Sequence, residues 1–310
     1  MLAVPLSGCA SATNYLDPAG PMFMGHAAGA APATVELRVV TLNLKFGTHV
    51  ERAERLFAAT PQLAGADLIV LQEMDEPGTA RFGSGLGMNY LYVPSAIHST
   101  TRRDFGVAIL SRWPIDDAKK IPLPHRHRFR KLQRAAAAAT VRTALGDVRV
   151  YAVHLETRLG ASDRDRRDQV DEVLRDVDGW SGIVVIAGDF NDRDAAAHAA
   201  RAGFAWPTSH VHDDAAVMDV DHILVRGLCA AGAASAGKAR DDFGASDHRA
   251  VWVVVRRCDA ASPPGRRRFA VFRAKAMRVD PGEFGAKEKD LGGVVDPDHQ
   301  HRDRAGRSET

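Results

Sequence analysis

Short apolar runs alternate with amphipathic stretches from residue 34 to residue 257. Runs rich in Val, Ile and Leu predict buried strands at Glu36–Leu44, Leu68–Gln72, Gly106–Leu110, Ala136–Thr143, Val148–His154, Ile183–Ala187, His222–Val225 and Ala250–Val255. Three stretches predict helices: Val50–Ala58, Arg164–Trp180 and Ala195–Ala202. In the second, Val170, Val173, Leu174 and Val177 recur at three- and four-residue spacing, which marks one buried helical face. No segment repeats. Helices interleaved with hairpin-like strand pairs predict an α/β sandwich, and the span suffices for one domain, 34–257, with a sizeable core.

Outside that span the pattern fades. From Arg256 onward, Pro263-Pro264, Arg266-Arg267-Arg268 and scattered Gly sustain no period, so residues 258–310 are expected to be a disordered basic tail. It could serve as an arm for anionic lipid or nucleic acid, or be no more than a solvated tail. At the other end, Leu6-Ser7-Gly8-Cys9 resembles a bacterial lipobox, and the Ala-, Gly-, Pro- and Ser-rich stretch after it reads as a flexible tether through residue 33. The apolar run before Cys9 is short and lacks a basic start; either translation begins further upstream or the match is fortuitous. The lipobox reading predicts lipidation of Cys9 and an exported protein held at the cell envelope by acyl chains. Its alternative is a cytoplasmic protein.

Composition narrows the classes. The 310 residues are 45% hydrophobic and 26% charged, which excludes a mostly disordered chain and a collagen-like fibre. No run reaches the roughly 18 apolar residues of a membrane span. Three Cys without a Cys-x-x-Cys pair exclude a disulfide scaffold and offer no structural zinc site. Cys229 and Cys258 could pair in an oxidising compartment, but spacing does not decide it. Of 41 Lys and Arg and 39 Asp and Glu, 13 and 9 lie from Arg256 onward, leaving 28 and 30 for residues 1–255. A slightly acidic body does not coat DNA by charge alone. It suits a small substrate, or a polyanion gripped at one patch. The candidate patch is His125-Arg126-His127-Arg128-Phe129-Arg130-Lys131 with Arg134 close behind. There Arg126, Arg128, Arg130 and Arg134 offer planar forks suited to phosphate, the alternative being a solvated basic loop.

The candidate chemistry lies where strands end. Asn43 interrupts the first run, Gln72-Glu73 closes the second, His154 closes another, and Asp189-Phe190-Asn191 follows Ile183–Ala187. Asp221 opens the next strand, and Ser246-Asp247-His248 precedes the last. Each has an ordinary explanation alone, as a turn former or helix cap. Together, carboxylates, amides and imidazoles at strand ends suit metal-assisted phosphoryl chemistry. Hard divalent cations take carboxylate oxygens, and imidazoles with carboxylate partners move protons.

Thr41-Leu42-Asn43, Leu71-Gln72-Glu73, Gly106–Ser111, Val153-His154-Leu155, Gly188-Asp189-Phe190-Asn191, Asp221–Leu224 and Ser246-Asp247-His248 resemble, in order and across about residues 35–255, the motifs of the endonuclease/exonuclease/phosphatase superfamily. That superfamily includes DNase I-like nucleases, sphingomyelinases and inositol polyphosphate 5-phosphatases. The resemblance implies a four-layer α/β sandwich of two mixed sheets flanked by helices. It implies Mg²⁺ or Mn²⁺ held by Glu73 with Asn43 beside it and Asp247 nearby. Asp189 and Asn191 are implied to orient water and phosphate, and His248, oriented by Asp221, to be the catalytic imidazole, with Asp219 a rival for Asp221. His154 is implied as the second imidazole, with Asp104 as its acidic partner. Arg166 and Gln169 resemble a pattern that supports the site, and Glu156-Thr157-Arg158 stands beside it.

The function expected on these grounds is a monomeric, divalent-metal-dependent phosphodiesterase, nuclease-like, in which water attacks in line. The enzymatic alternative is a phospholipid or inositol-phosphate hydrolase. The non-enzymatic alternative is a tethered binding or structural envelope protein on an inactive scaffold. Replacing a catalytic His248 is expected to leave folding nearly intact.

Overall fold

The computed structural model describes residues 13–27, 33–98, 101–212 and 219–258. Cys9 and all of the tail after Cys258 lie outside them. In chain order the elements are β1 (Thr13–Asn14), β2 (Phe23–Gly25), β3 (Glu36–Asn43), α1 (Val50–Ala59), β4 (Leu68–Met74), α2 (Glu76–Leu86), β5 (Asn89–Ile97), β6 (Asp104–Ser111), β7 (Ile115–Arg126), β8 (Gln133–Thr143), β9 (Gly146–His154), α3 (Asp163–Val177), β10 (Ile183–Asp189), α4 (Arg193–Arg201), β11 (Asp221–Arg226), β12 (Leu228–Ala230), β13 (Ala236–Lys238) and β14 (Val251–Arg257). Among the described residues, no helix is long and apolar enough to cross a membrane.

Two mixed sheets result. One runs β1-β5-β6-β4-β3-β14-β12, with β2 on β5 and β13 on β14; the other runs β11-β10-β9-β8-β7. Strand alternation builds the layers, because successive side chains point to opposite faces. On β3, Leu37 and Val39 join Val150 and Val185 of the second sheet in the core between the sheets. Val40 and Leu42 face the other way, onto Leu56 and Phe57 of α1 and Phe82 of α2. On the far side, Val170 and Val173 of α3 and Ala196 of α4 cover Tyr151 and Ile186. The expected order of helix, sheet, sheet and helix is therefore observed.

Local chemistry sets the helix starts. Ser162 and Asp165 form a reciprocal capping box at α3. Asp192 caps α4 through the Asp194 N–H. Asp75 caps α2 by accepting from Gly78 N at 2.9 Å, and a Cβ on Gly78 would lie 2.7 Å from that same carboxylate.

The N-terminal segment departs from the tether reading. β1 and β2 pair with β5, and Asn14 crosses to the second sheet, donating to Lys131 O and accepting from Gln133 N. Residues 13–27 are thus part of the folded body. Cys229 and Cys258 form a disulfide between β12 and the residue after β14.

His222, on β11, is buried between the rings of Trp206 (4.9 Å, edge-on) and Phe190 (5.9 Å). Neither ring nitrogen has a hydrogen-bond partner, and burial pushes its pKa down to about 4 from 6.5. A group with a depressed folded pKa contributes stability that is complete above its unfolded pKa, near 6.5, and is lost as pH falls toward 4. Urea unfolding of His222→Phe is therefore expected to lose about 3 kcal/mol less than wild type between about pH 7 and pH 4. Equal losses in the two proteins would refute this.

Candidate active site

The site residues meet because strand register brings strand ends together. Asp189 closes β10 opposite His154 on β9 and Asp221 on β11. Across the sandwich, Asn43 ends β3 beside Gln72 of β4. Glu73 is the next residue, extruded at a β-bulge between Gln72 and Met74 with φ at 56°. Asn191 also takes a left-handed backbone, at 52°. Such conformations are sparsely populated and persist where surrounding structure holds them.

Asp189 is the hub. Its Oδ1 accepts from Asn191 N at 2.8 Å and its Oδ2 from Asn43 Nδ2 at 3.2 Å. His154 Nε2 lies 3.5 Å from that Oδ2. Burial and the neighbouring Asp221 carboxylate push the Asp189 pKa up to about 7.

The two imidazoles are driven in opposite directions. Burial pulls His248 down, but its Nδ1 lies 2.8 Å from Asp221 Oδ2, and that carboxylate with Asp189 lifts it to about 10. His248 is an imidazolium at neutral pH. His154 is fully buried, and burial with the Arg134 guanidinium holds it neutral. Titrating pairs pushed apart in this way divide acid and base roles between them.

Asp104 does not contact His154. It accepts from the Tyr15 hydroxyl at 2.8 Å, while Arg134 Nη1 lies 2.9 Å from His154 Nδ1. The expected imidazole–carboxylate pair at His154 is replaced by an imidazole set between Arg134 and Asp189. Asp104→Asn is accordingly expected to change turnover by less than about tenfold, far less than a variant at Asp189.

The basic stretch divides. Arg130 and Arg134 line a pocket of about 380 Å³ together with Glu73, Asn191, Phe105 and Arg158. Arg134 is buried, with its guanidinium 4.8 Å over the Phe105 ring. Arg126 instead donates to Gln133 on the surface, and neither it nor Arg128 lines the pocket. Arg166 and Gln169 support the site from below: Arg166 grips Asp192 at 2.8 Å, and Gln169 Oε1 accepts from Glu156 N at 2.9 Å. Asp219 binds His212 and Lys238 instead of His248, which decides for Asp221 as its partner.

Sequence reading missed Asp241. Its carboxylate accepts from the N–H groups of Phe243, Ala245 and Ser246 and so shapes the loop before His248. Ser246 Oγ then donates to Asn43 O at 2.6 Å. Only the Asp241–Gly244 turn chemistry signals this role.

The donor set fits a hard divalent ion. The Glu73 carboxylate, half-buried on the pocket, makes no hydrogen bond or ion pair with another described residue. Asn43 Oδ1 accepts from Lys45 N at 3.0 Å and keeps a second lone pair. One carboxylate plus an amide oxygen suits Mg²⁺, which keeps waters and substrate oxygens as its remaining ligands. Ligand atoms of Asp189, Asp221 and His248 also lie within 4.8 Å of one another, and Asp221 Oδ1 is buried without a partner. Asp247 is less free, being 3.0 Å from Lys45 Nζ.

The fold recurs in solved structures. An endonuclease/exonuclease/phosphatase from Beutenbergia cavernae is 21% identical, with a TM-score of 0.60 and coverage of 73% of each chain. Sphingomyelinase C from Streptomyces griseocarneus is 18% identical, with a TM-score of 0.51 over 73% of this chain and 100% of that one. D. rerio TDP2 complexed with single-strand DNA product is 17% identical, with a TM-score of 0.51 over 72% and 99%. No curated protein matches the chain. The sequence pattern of the endonuclease/exonuclease/phosphatase family matches residues 40–248, from β3 through His248. That span holds every strand end that builds the acid, amide and imidazole constellation, and the chain belongs to this family of phosphoester hydrolases.

Proposed function

We propose that the protein is a divalent-metal-dependent phosphodiesterase in which water attacks phosphorus in line. The observation that carries this reading is the constellation at the strand ends: His248 2.8 Å from Asp221, Asp189 held by Asn43 and Asn191, and Glu73 without a hydrogen-bond or ion-pair partner among the described residues on the pocket that Asn191 also lines. Glu73 and Asn43 would hold Mg²⁺ or Mn²⁺, which supplies charge neutralisation and polarises the phosphoryl oxygen. Arg134 and Arg130 bind the remaining phosphate oxygens from the pocket wall. Asp189, held by Asn43 and Asn191, orients the attacking water and takes its proton. Asp221 fixes His248 so that its proton faces the reacting group, where it stabilises the developing charge. His154 stays neutral and positions Asp189.

A nuclease is the simplest substrate assignment, and the likeness to a DNA-bound TDP2 fold accords with it. Two exposed apolar side chains near the pocket, Phe129 and Leu159, favour the second reading, a phospholipid headgroup. The Cys229–Cys258 disulfide supports export to an oxidising compartment, which accords with a location at the cell envelope.

The test is a substrate panel of bis(p-nitrophenyl) phosphate, plasmid DNA and phospholipid vesicles, assayed with Mg²⁺ or Mn²⁺ and with EDTA. Turnover of the small diester is expected to fall at least about 100-fold in EDTA and to return with added metal. Chelator-insensitive hydrolysis would contradict the metal role. No turnover of any member would contradict the phosphodiesterase reading itself.

A further inference from the structure

Phe129 and Leu159 are 72% and 80% exposed, yet they lie on neighbouring loops at the catalytic pocket. The loops are fastened together by Arg128 N donating to Gly160 O at 2.8 Å. Two large apolar side chains held outward at one rim are an ordered feature, since each loop has its own ties. His127 Nδ1 accepts from the N–H groups of Phe129 and Arg130, and Gly160 N donates to Thr157 O.

Charge surrounds the pair. Arg128, Arg130 and Lys131 flank Phe129, and their side chains make no hydrogen bond or ion pair with another described residue. Arg158 flanks Leu159, half-exposed and 3.4 Å from Asp192. Apolar tips set among exposed cations, three of them without an ion pair, match the boundary between acyl chains and anionic headgroups. The match to single-stranded nucleic acid is poorer: bases stack on aromatic faces, and Leu159, the more exposed of the two, offers none.

The chain path agrees. Asn14 donates to Lys131 O at 2.9 Å, so the N-terminal segment reaches the fold at this same basic loop. Cys9 lies five residues earlier, within about 18 Å of Asn14 even if the chain is fully extended.

We infer that the Arg126–Leu132 and Thr157–Ala161 loops form a docking surface for an anionic phospholipid bilayer, with Phe129 and Leu159 inserting between headgroups and the catalytic pocket opening onto the membrane. The inference rests on the phosphodiesterase reading for its consequence, that the substrate is a phospholipid headgroup diester. Its binding test does not depend on turnover.

The experiment is sedimentation of the full chain with vesicles of phosphatidylcholine, with or without phosphatidylglycerol. Binding is expected to the mixed vesicles, weakened by added salt. It should fall about tenfold or more in the Phe129→Ser, Leu159→Ser double variant, with an unchanged circular dichroism spectrum. Phe129→Ser alone should hydrolyse bis(p-nitrophenyl) phosphate at the wild-type rate. Absent binding to the mixed vesicles, or binding indifferent to the double variant, would overturn the surface. So would loss of single-stranded oligonucleotide binding in Phe129→Ser with vesicle binding intact. Failure of the phosphodiesterase reading would instead appear as vesicle binding with no hydrolysis of any diester.

Discussion

His248→Gln is expected to lower turnover of a phosphodiester by about 10²–10⁴-fold, the range for a positioned acid or base, with KM for the substrate little changed. His248 is held as a cation by Asp221 Oδ2 at 2.8 Å, and a neutral amide cannot supply that charge to the transition state. The structure also changes the stability expected of such a variant. Sequence alone suggested that losing this imidazole would leave folding nearly intact. Asp221 is buried, however, and its other oxygen has no partner. His248→Ala is therefore expected to cost about 3 kcal/mol, because it leaves a buried carboxylate uncompensated. His248→Gln should cost less, since its amide N–H can still donate to Asp221. Pairing Asp221→Asn with His248→Gln should restore stability without restoring turnover, as thermal unfolding and initial rates would show. Recovery of activity in the pair would remove His248 from the reaction.

The second large effect is at Asp189. Asp189→Asn is expected to reduce turnover by about 10³-fold or more while leaving the metal-free protein as stable as wild type or more so. Asp189 is 2% exposed, and burial with the Asp221 carboxylate raises its pKa to about 7. Ionising it near neutral pH works against folding, so a neutral isostere relieves that cost. The sign can be checked through pH: a raised folded pKa means stability is complete below the unfolded value near 3.8 and declines as pH rises toward 7. Asp189→Asn should flatten that decline in urea titrations. A variant both active and less stable would show that Asp189 is a structural acid.

Much of this was legible in the sequence for physical reasons. Strands buried on both faces are written as continuous Val, Ile and Leu runs, so β3, β4, β9 and β10 were found almost to the residue. Their polar terminators Asn43, Glu73, His154 and Asp189 stood out against those runs. Other elements carried weaker patterns. α2 contains Pro77, Gly78, Gly83 and Gly85, which speak against a helix locally. Packing favours glycine at two of them, because a Cβ at Gly78 would come 2.7 Å from the capping Asp75 carboxylate and one at Gly83 3.1 Å from Tyr90 and 3.3 Å from Met88 O. β7 has two bulges and a run of Lys and Pro that breaks alternation. β1 and β2 are short and lie in a stretch whose Gly, Pro and Ala content reads as linker.

The site was legible in its parts and less so in its pairings. His248 with Asp221 is what the family resemblance implies, and the pair is in contact in the fold. His154 with Asp104 does not hold, because Tyr15 reaches Asp104 from a segment that local pattern had set apart. Which arginines of a basic run face the pocket depends on loop geometry, set here by His127 accepting from two backbone N–H groups. No periodicity encodes that.

Whether Glu73 holds the metal and His248 serves the chemistry is decided by the initial rate of bis(p-nitrophenyl) phosphate hydrolysis as Mn²⁺ is titrated into wild type, Glu73→Gln and His248→Gln. Saturable activation is expected of wild type. Glu73→Gln is expected to need at least about tenfold more metal, and His248→Gln to reach a low plateau at nearly unchanged metal demand. Hydrolysis without metal, or a Glu73→Gln curve that overlays wild type, would contradict the metal role of Glu73.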